Sequence, residues 1–276
     1  MTDADSPAPV WADEFDGPAG TPPDPATWRA EVGGHGWGNA ELQTYTAGTA
    51  NAALDGAGHL AITVRRDGAG FTSARLITKD RVSLRYGLVR ARIRLPRGRG
   101  IWPAFWLLGQ DLDTAGWPGC GEIDVLENFG TDPATVHGTV HGPGFAGREG
   151  ITRSLDTGGD LADDFHVYAV HWEPGRIRWY FDDVLFHTVL PDDLGGRPWV
   201  FDHDFFLLLN VAVGGAMSTS PDDATGFPQT MLVDYVRVYP TPLVNVNIAP
   251  VQPGVPRLPV SRGYDPHVER GRPGVA

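Results

Sequence analysis

Glu122, Asp124 and Glu127 lie within six residues of one another in GEIDVLENFG, residues 121–130. Carboxyl groups this close can divide labour, one ionised as a nucleophile and one protonated as an acid. Retaining glycosidic cleavage asks this of two carboxyl groups held about 5–5.5 Å apart. In a regular strand residues 122, 124 and 126 share a face, so Glu127 falls one residue late. A β-bulge between Asp124 and Glu127 supplies the extra residue, returns Glu127 to the Glu122 face, and buries Ile123 with one or both of Val125 and Leu126. Without it, one glutamate would enter an apolar layer at a cost of several kcal/mol. Asp124, between the two, can hydrogen-bond one of them while its charge raises a neighbouring pKa. An acidic solvated strand has the same spacing; the apolar residues within the motif and the aromatic IWPAFWLLG before it favour a site.

The elements that must hold these groups read as strands. Leu60, Ile62 and Val64 alternate in HLAITVRR, as do Val89, Ala91, Ile93 and Leu95 in LVRARIRLP, the pattern of strands with one buried face. DFHVYAVHWEPGRIRWYFDDVLFHTV reads as two strands around EPGR with a third after Asp182–Asp183. DFFLLLNVAVGG is a nearly continuous apolar strand and VDYVRVY alternates again. No stretch holds a helical period over three turns. With 36 glycines and 24 prolines to make turns, the chain reads as all-β, a sandwich with a barrel left open. Residues 1–10 read as an N-terminal extension, 11–240 as one domain, and 241–276 as a proline-rich tail, extended on its surface or else disordered.

A net charge of −12 would repel a phosphate backbone, and no basic stripe reverses it, so nucleic acid is not an expected partner. No run approaches the 18 or so apolar residues of a membrane span. The single cysteine, Cys120, permits no intrachain disulfide and has no Cys–His–acid arrangement around it, so it reads as a small buried hydrophobe. GGHGWG and NVAVGG do not form a strand–GxGxxG–helix unit, and their glycines read as turn or close-approach positions. No nucleotide cofactor is implied.

GEIDVLE resembles the glutamate-x-aspartate-x-x-glutamate signature of glycoside hydrolase family 16. The resemblance extends through WADEFDG at 11–17, GNAELQTYT at 38–46, TSARLITKD at 72–80, WPAFWLLG at 102–109, HGTVHGPG at 137–144, VHWEPGRIRWYFDD at 170–183, LLLNVAVGG at 207–215 and VDYVRVY at 233–239. It implies a jelly-roll β-sandwich of two curved antiparallel sheets with a concave cleft. Within the family the extra residue is similar to laminarinase-like endo-1,3-β-glucanases, with agarase- or carrageenase-like enzymes as the nearest rival. A transglycosylase and a non-catalytic carbohydrate-binding protein are the further alternatives.

That resemblance implies Glu122 as nucleophile, Glu127 as general acid and then base, Asp124 as the residue that orients Glu122, and no cofactor for catalysis. His141, with His137 as its competitor, would meet the acids from the adjacent strand, only one of them needing to face the cleft. Trp102, Trp106 and Trp117 would border the sugar subsites. Asn39 and Arg75 would face sugar hydroxyls, or else serve as a turn residue and a surface ion pair. Glu41 reads equally as a charge on the sheet rim. A structural calcium would be held partly by Glu14 and Asp234, completed by backbone oxygens. The partner is then a polysaccharide or oligosaccharide, met by a monomer outside the cell. The first ten residues lack a secretory signal, so they read as those of a cytoplasmic protein or of one whose leader is missing.

Overall fold

Alternating strands with one apolar face become stable only when that face is covered, and here two sheets cover each other. The computed structural model describes residues 8–241 and 245–248. Its strands form a ten-stranded and a nine-stranded sheet, nearly all pairings antiparallel, in the jelly-roll sandwich expected from the sequence. Among the described residues the one α-helix is the single turn Leu112–Ala115.

The ten-stranded sheet contains Leu60–Asp67, Gly87–Arg94 and Gln229–Tyr239, and the three-strand run His166–Glu173, Arg176–Phe181 and Val184–Val189. Leu60, Ile62, Val64, Val89, Ala91 and Ile93 are all fully buried. Each Leu, Ile or Val among them stabilises the fold by about 1.5–3 kcal/mol. A one-residue slip of a strand carrying three of them would cost most of a typical stability of about 5–15 kcal/mol, so the register is fixed.

The nine-stranded sheet carries the acids. Glu122–Glu127 lies between Thr135–His141 and Ile101–Gly109, and Phe205–Val213, buried along its whole length, follows on the far side. Asn245–Ile248, at the start of the tail, adds a strand to this sheet along Val82–Arg85. The tail thus begins as part of the sandwich; residues 1–7, 242–244 and 249–276 lie outside the described residues.

The bulge is present. Asp124 faces Thr139 and Glu127 faces His137, so three steps on the acidic strand oppose two on its neighbour. On the other side Trp106 faces Asp124 and Phe105 faces Leu126, which leaves Val125 as the extra residue. Val125 and Leu126 are both buried. A bulge frees backbone groups from the ladder, and here the other sheet supplies a partner: Trp179 Nε1–H donates to the Asp124 carbonyl at 2.7 Å across the core. Gly138 makes room for it, since a Cβ there would lie 2.6 Å from the Trp179 ring.

Replacing Trp179 with Phe keeps most of the apolar volume and strands that carbonyl. The expected loss of unfolding free energy is about 1–3 kcal/mol, read from urea denaturation, with a fall in kcat as the two glutamates lose their register. An unchanged denaturation curve would mean that the strand neighbours alone hold the bulge.

Candidate active site

Glu122 and Glu127, at the two ends of the bulged strand, are partly exposed, and the four residues between them are buried. Both glutamates line a cavity of about 330 Å³ on the outer face of the nine-stranded sheet. Trp117 Nε1–H donates to Glu122 at 2.7 Å and Trp102 Nε1–H donates to Glu127 at 3.1 Å. His141 Nε2 lies 3.3 Å from Asp124 Oδ2 and 3.9 Å from Glu122 Oε1. His137 lines the cavity as well, opposite Glu127 and hydrogen-bonded to Ser154 Oγ at 2.8 Å. The two histidines therefore both face the cleft, against the expectation that one would. The bulge lies in the partner strand, so Thr135–His141 keeps its own alternation.

Burial decides the protonation of this cluster. It raises Glu122 to about 8, with the Asp124 charge adding to the rise and His141 and the Trp117 N–H opposing it. It raises Glu127 to about 7, opposed by His141 and Trp102. Asp124, 3% exposed, is pushed well above the usual carboxylate range by the same desolvation and by Glu127. These groups share protons as a unit. The most buried of them, Asp124, holds one most firmly, and Glu122 is raised further than Glu127 even with the 2.7 Å indole donor beside it.

One end of the cavity is built from a polar network. Arg75 donates to Glu31 at 2.5 Å, and its guanidinium lies 5.0 Å from the Trp37 ring centre and 4.6 Å from that of Trp106. It is a part-buried clamp in the cavity wall and not a surface ion pair. Trp106 Nε1–H donates to Asn210 at 2.7 Å, Asn210 donates to Tyr45 at 3.1 Å, and Tyr45 donates to Glu41 at 3.3 Å. Glu41 also accepts from Gln43 at 2.6 Å and Asn39 at 3.3 Å. Glu41 is therefore an interior hub and not a rim charge, and burial raises its pKa. Asn39 stands at a turn, through its N–H to the Gly36 carbonyl, and also lines the cavity wall. Trp37 was hidden in a glycine-rich stretch; the signal for it was an aromatic residue among turn glycines.

Residues 39–236 match the sequence profile of Glycosyl hydrolases family 16. The chain belongs to this family. A Beta-glucanase from Rhodothermus marinus is 44% identical over 246 residues, covering 83% of this chain and 84% of that protein. The crystal structure of a laminarinase catalytic domain from Thermotoga maritima MSB8 superposes with a TM-score of 0.78 at 44% identity, covering 84% of this chain and 97% of that one. An endo-beta-1,3-glucanase from Pyrococcus furiosus gives 0.77 at 43% identity, covering 84% and 93%.

In this family-16 chain the residues expected to hold calcium are otherwise engaged. Glu14 accepts two hydrogen bonds from Arg237, both at 2.8 Å, and Asp234 accepts one from Arg92 at 2.7 Å. The hollow beside Asp234 is also lined by Arg90, Arg92 and Arg237. A divalent cation would have to displace guanidinium groups, so the arrangement does not fit one. Cys120 is buried and its thiol is pushed up to about 12, which leaves it inert.

The raised carboxyls make a stability prediction with a definite sign. A carboxyl with a raised folded-state pKa contributes stability below its unfolded value, about 4.3 for Glu. That contribution is lost as pH rises through about 7 for Glu127 and about 8 for Glu122. Glu122→Gln cannot ionise and escapes its share of the loss. Between about pH 5 and about pH 9 the variant should gain about 1–3 kcal/mol on the wild type, a range kept small because cleft water reaches the 15% exposed Glu122 side chain. Parallel pH dependences of Tm would refute it.

Proposed function

We propose that the protein is an endo-acting, retaining hydrolase of β-1,3-glucan. The observation that carries this reading is the bulge, which returns two glutamates to one cleft with an indole donor on each. The laminarinase and endo-glucanase relatives support the substrate. The composition of the cavity does too: among its described lining residues Arg75 is the one Lys or Arg, and Glu31 neutralises it. A neutral glucan stacking on Trp37, Trp102 and Trp106 suits that wall; a sulfated galactan would need unpaired cations.

The chemistry uses side chains alone. The reactive form has Glu122 ionised, supported by the Trp117 N–H, and Glu127 protonated; in that form Glu122 attacks the anomeric carbon. Glu127, protonated near neutrality, gives its proton to the departing glycosidic oxygen, and a covalent glycosyl-enzyme forms with inversion. Glu127, now a base, takes a proton from water, which displaces Glu122 with a second inversion. Asp124 and His141 flank Glu122, His141 Nε2 lying 3.3 Å from Asp124 Oδ2. No calcium ion at Glu14 and Asp234 is needed for either step.

The test is product analysis on laminarin, curdlan, lichenan and agarose. Mixed-length fragments should appear early from laminarin and vanish in Glu122→Gln and Glu127→Gln. Turnover of agarose alone would move the protein to the galactan-active branch, and binding without turnover would make it a lectin. Azide separates the two roles on an activated aryl glucoside substrate. Glu122→Ala should yield the α-azide through one displacement, and Glu127→Ala the β-azide through two. The reverse pairing would exchange the assignments.

A further inference from the structure

The strands that line the cavity set its direction. Arg75, Trp106, Glu127, His137 and Thr152 come from five strands of one sheet, so the cavity runs across the strands. A polysaccharide lying in it must cross them too. Two connections rise from opposite ends of those strands. Residues 142–150 follow His141, at the end where Glu122 and Leu108 pair; residues 214–228 follow Val213, which pairs with Ile101 at the other end. Arg148 Nη2–H donates to the Ala216 carbonyl at 3.0 Å, and the neighbouring Gly147 and Met217 both line the cavity. Arg148 itself does not line the cavity, but its hydrogen bond ties together two connections, from opposite ends of the strands, whose next residues do.

Both supports of this tie are fixed. Phe145 is fully buried, and a Cβ on Gly150 would lie 2.3 Å from the His141 ring, so the first connection is pressed onto the site. Ala216 N–H donates to the Asn39 carbonyl at 2.5 Å, and Gly215 is backed by the Trp102 ring. The Arg148 hydrogen bond between them is exposed. Water competes for an exposed hydrogen bond, so closure is favoured only by about three- to tenfold.

We propose that Arg148 is a specificity-determining residue that latches across the glucan site. Internal segments of a polymer have no end to thread and enter when the latch opens. Short chains pass beneath it closed. After a cut, closure keeps the bound fragment from leaving sideways, so one encounter gives several cuts. The substrate named here rests on the glucan-hydrolase reading; the latch itself rests on the Arg148 geometry.

The experiment compares wild type, Arg148→Ala and Arg148→Lys on laminarin at early conversion, reading the ratio of short oligosaccharides to long fragments. For Arg148→Ala this ratio should fall about three- to tenfold, the factor by which closure is favoured. Turnover of a short β-1,3-linked oligosaccharide should stay within about twofold, because threading does not need the latch. Arg148→Lys, which keeps a cationic donor, should retain most of the wild-type ratio. Identical product ratios for wild type and Arg148→Ala would overturn the proposal. An equal loss on polymer and short substrate would also overturn it, as the mark of a merely structural residue. If agarose is cut and laminarin is not, the substrate reading fails, and the same ratio measured on agarose decides the latch.

Discussion

The site depends on one residue too many in one strand and on the hydrogen bond that makes it tolerable. Val125 breaks the ladder beside Asp124 and frees a carbonyl inside an apolar core. Left alone, that carbonyl would cost about 1–3 kcal/mol. The Trp179 indole reaches it from the opposite sheet, and it can do so because Gly138 has no side chain to stand in the way. Core packing and catalytic register are thus one problem. The contact that satisfies the bulge also joins the two sheets, and the bulge brings Glu127 back to the face of Glu122.

Burial then works in two directions. The desolvation that lifts Glu122, Asp124 and Glu127 out of the ordinary carboxylate range also allows Glu127 to keep a proton near neutrality. A solvated strand with the same three acids would be fully ionised and would have no acid to offer. The indole N–H groups of Trp117 and Trp102 limit the penalty by giving each glutamate a donor. They do so without adding a full positive charge, which would pull the carboxyls back down.

Much of this was legible from local pattern. Alternation marked the strands because burial on one face repeats every second residue, and the bulge followed from the need to bury Ile123 with one or both of Val125 and Leu126 while exposing two glutamates. What local pattern could not show was convergence. Glu41 reads as a rim charge until Asn39, Gln43 and Tyr45 are seen to close on it, and Tyr45 reaches Asn210 across 165 residues of sequence. Trp37 sits among turn glycines, where no periodicity marks an inward side chain. His137 stood as a competitor of His141 because a spacing of four puts both on one face only where no bulge intervenes between them. Glu14 and Asp234 were named by resemblance, which carries a residue type and not the arginines that occupy it. The Asn245–Ile248 strand lies in a segment whose prolines suggested no sheet pairing.

The network around Trp106 shows why convergence matters to binding a neutral polymer. A stacking platform selects a sugar only if its plane is held, because a ring free to turn loses rotational freedom again on each encounter. Trp106 is fixed on its edge by Asn210 and on its face by Arg75, and Arg75 is fixed in turn by Glu31 and the Trp37 ring. Polar groups that would repel or desolvate poorly against an uncharged sugar are thereby paired with one another before it arrives. What the cavity presents to the substrate is preorganised aromatic surface, while the unneutralised chemistry is confined to the acid cluster where the bond is cut.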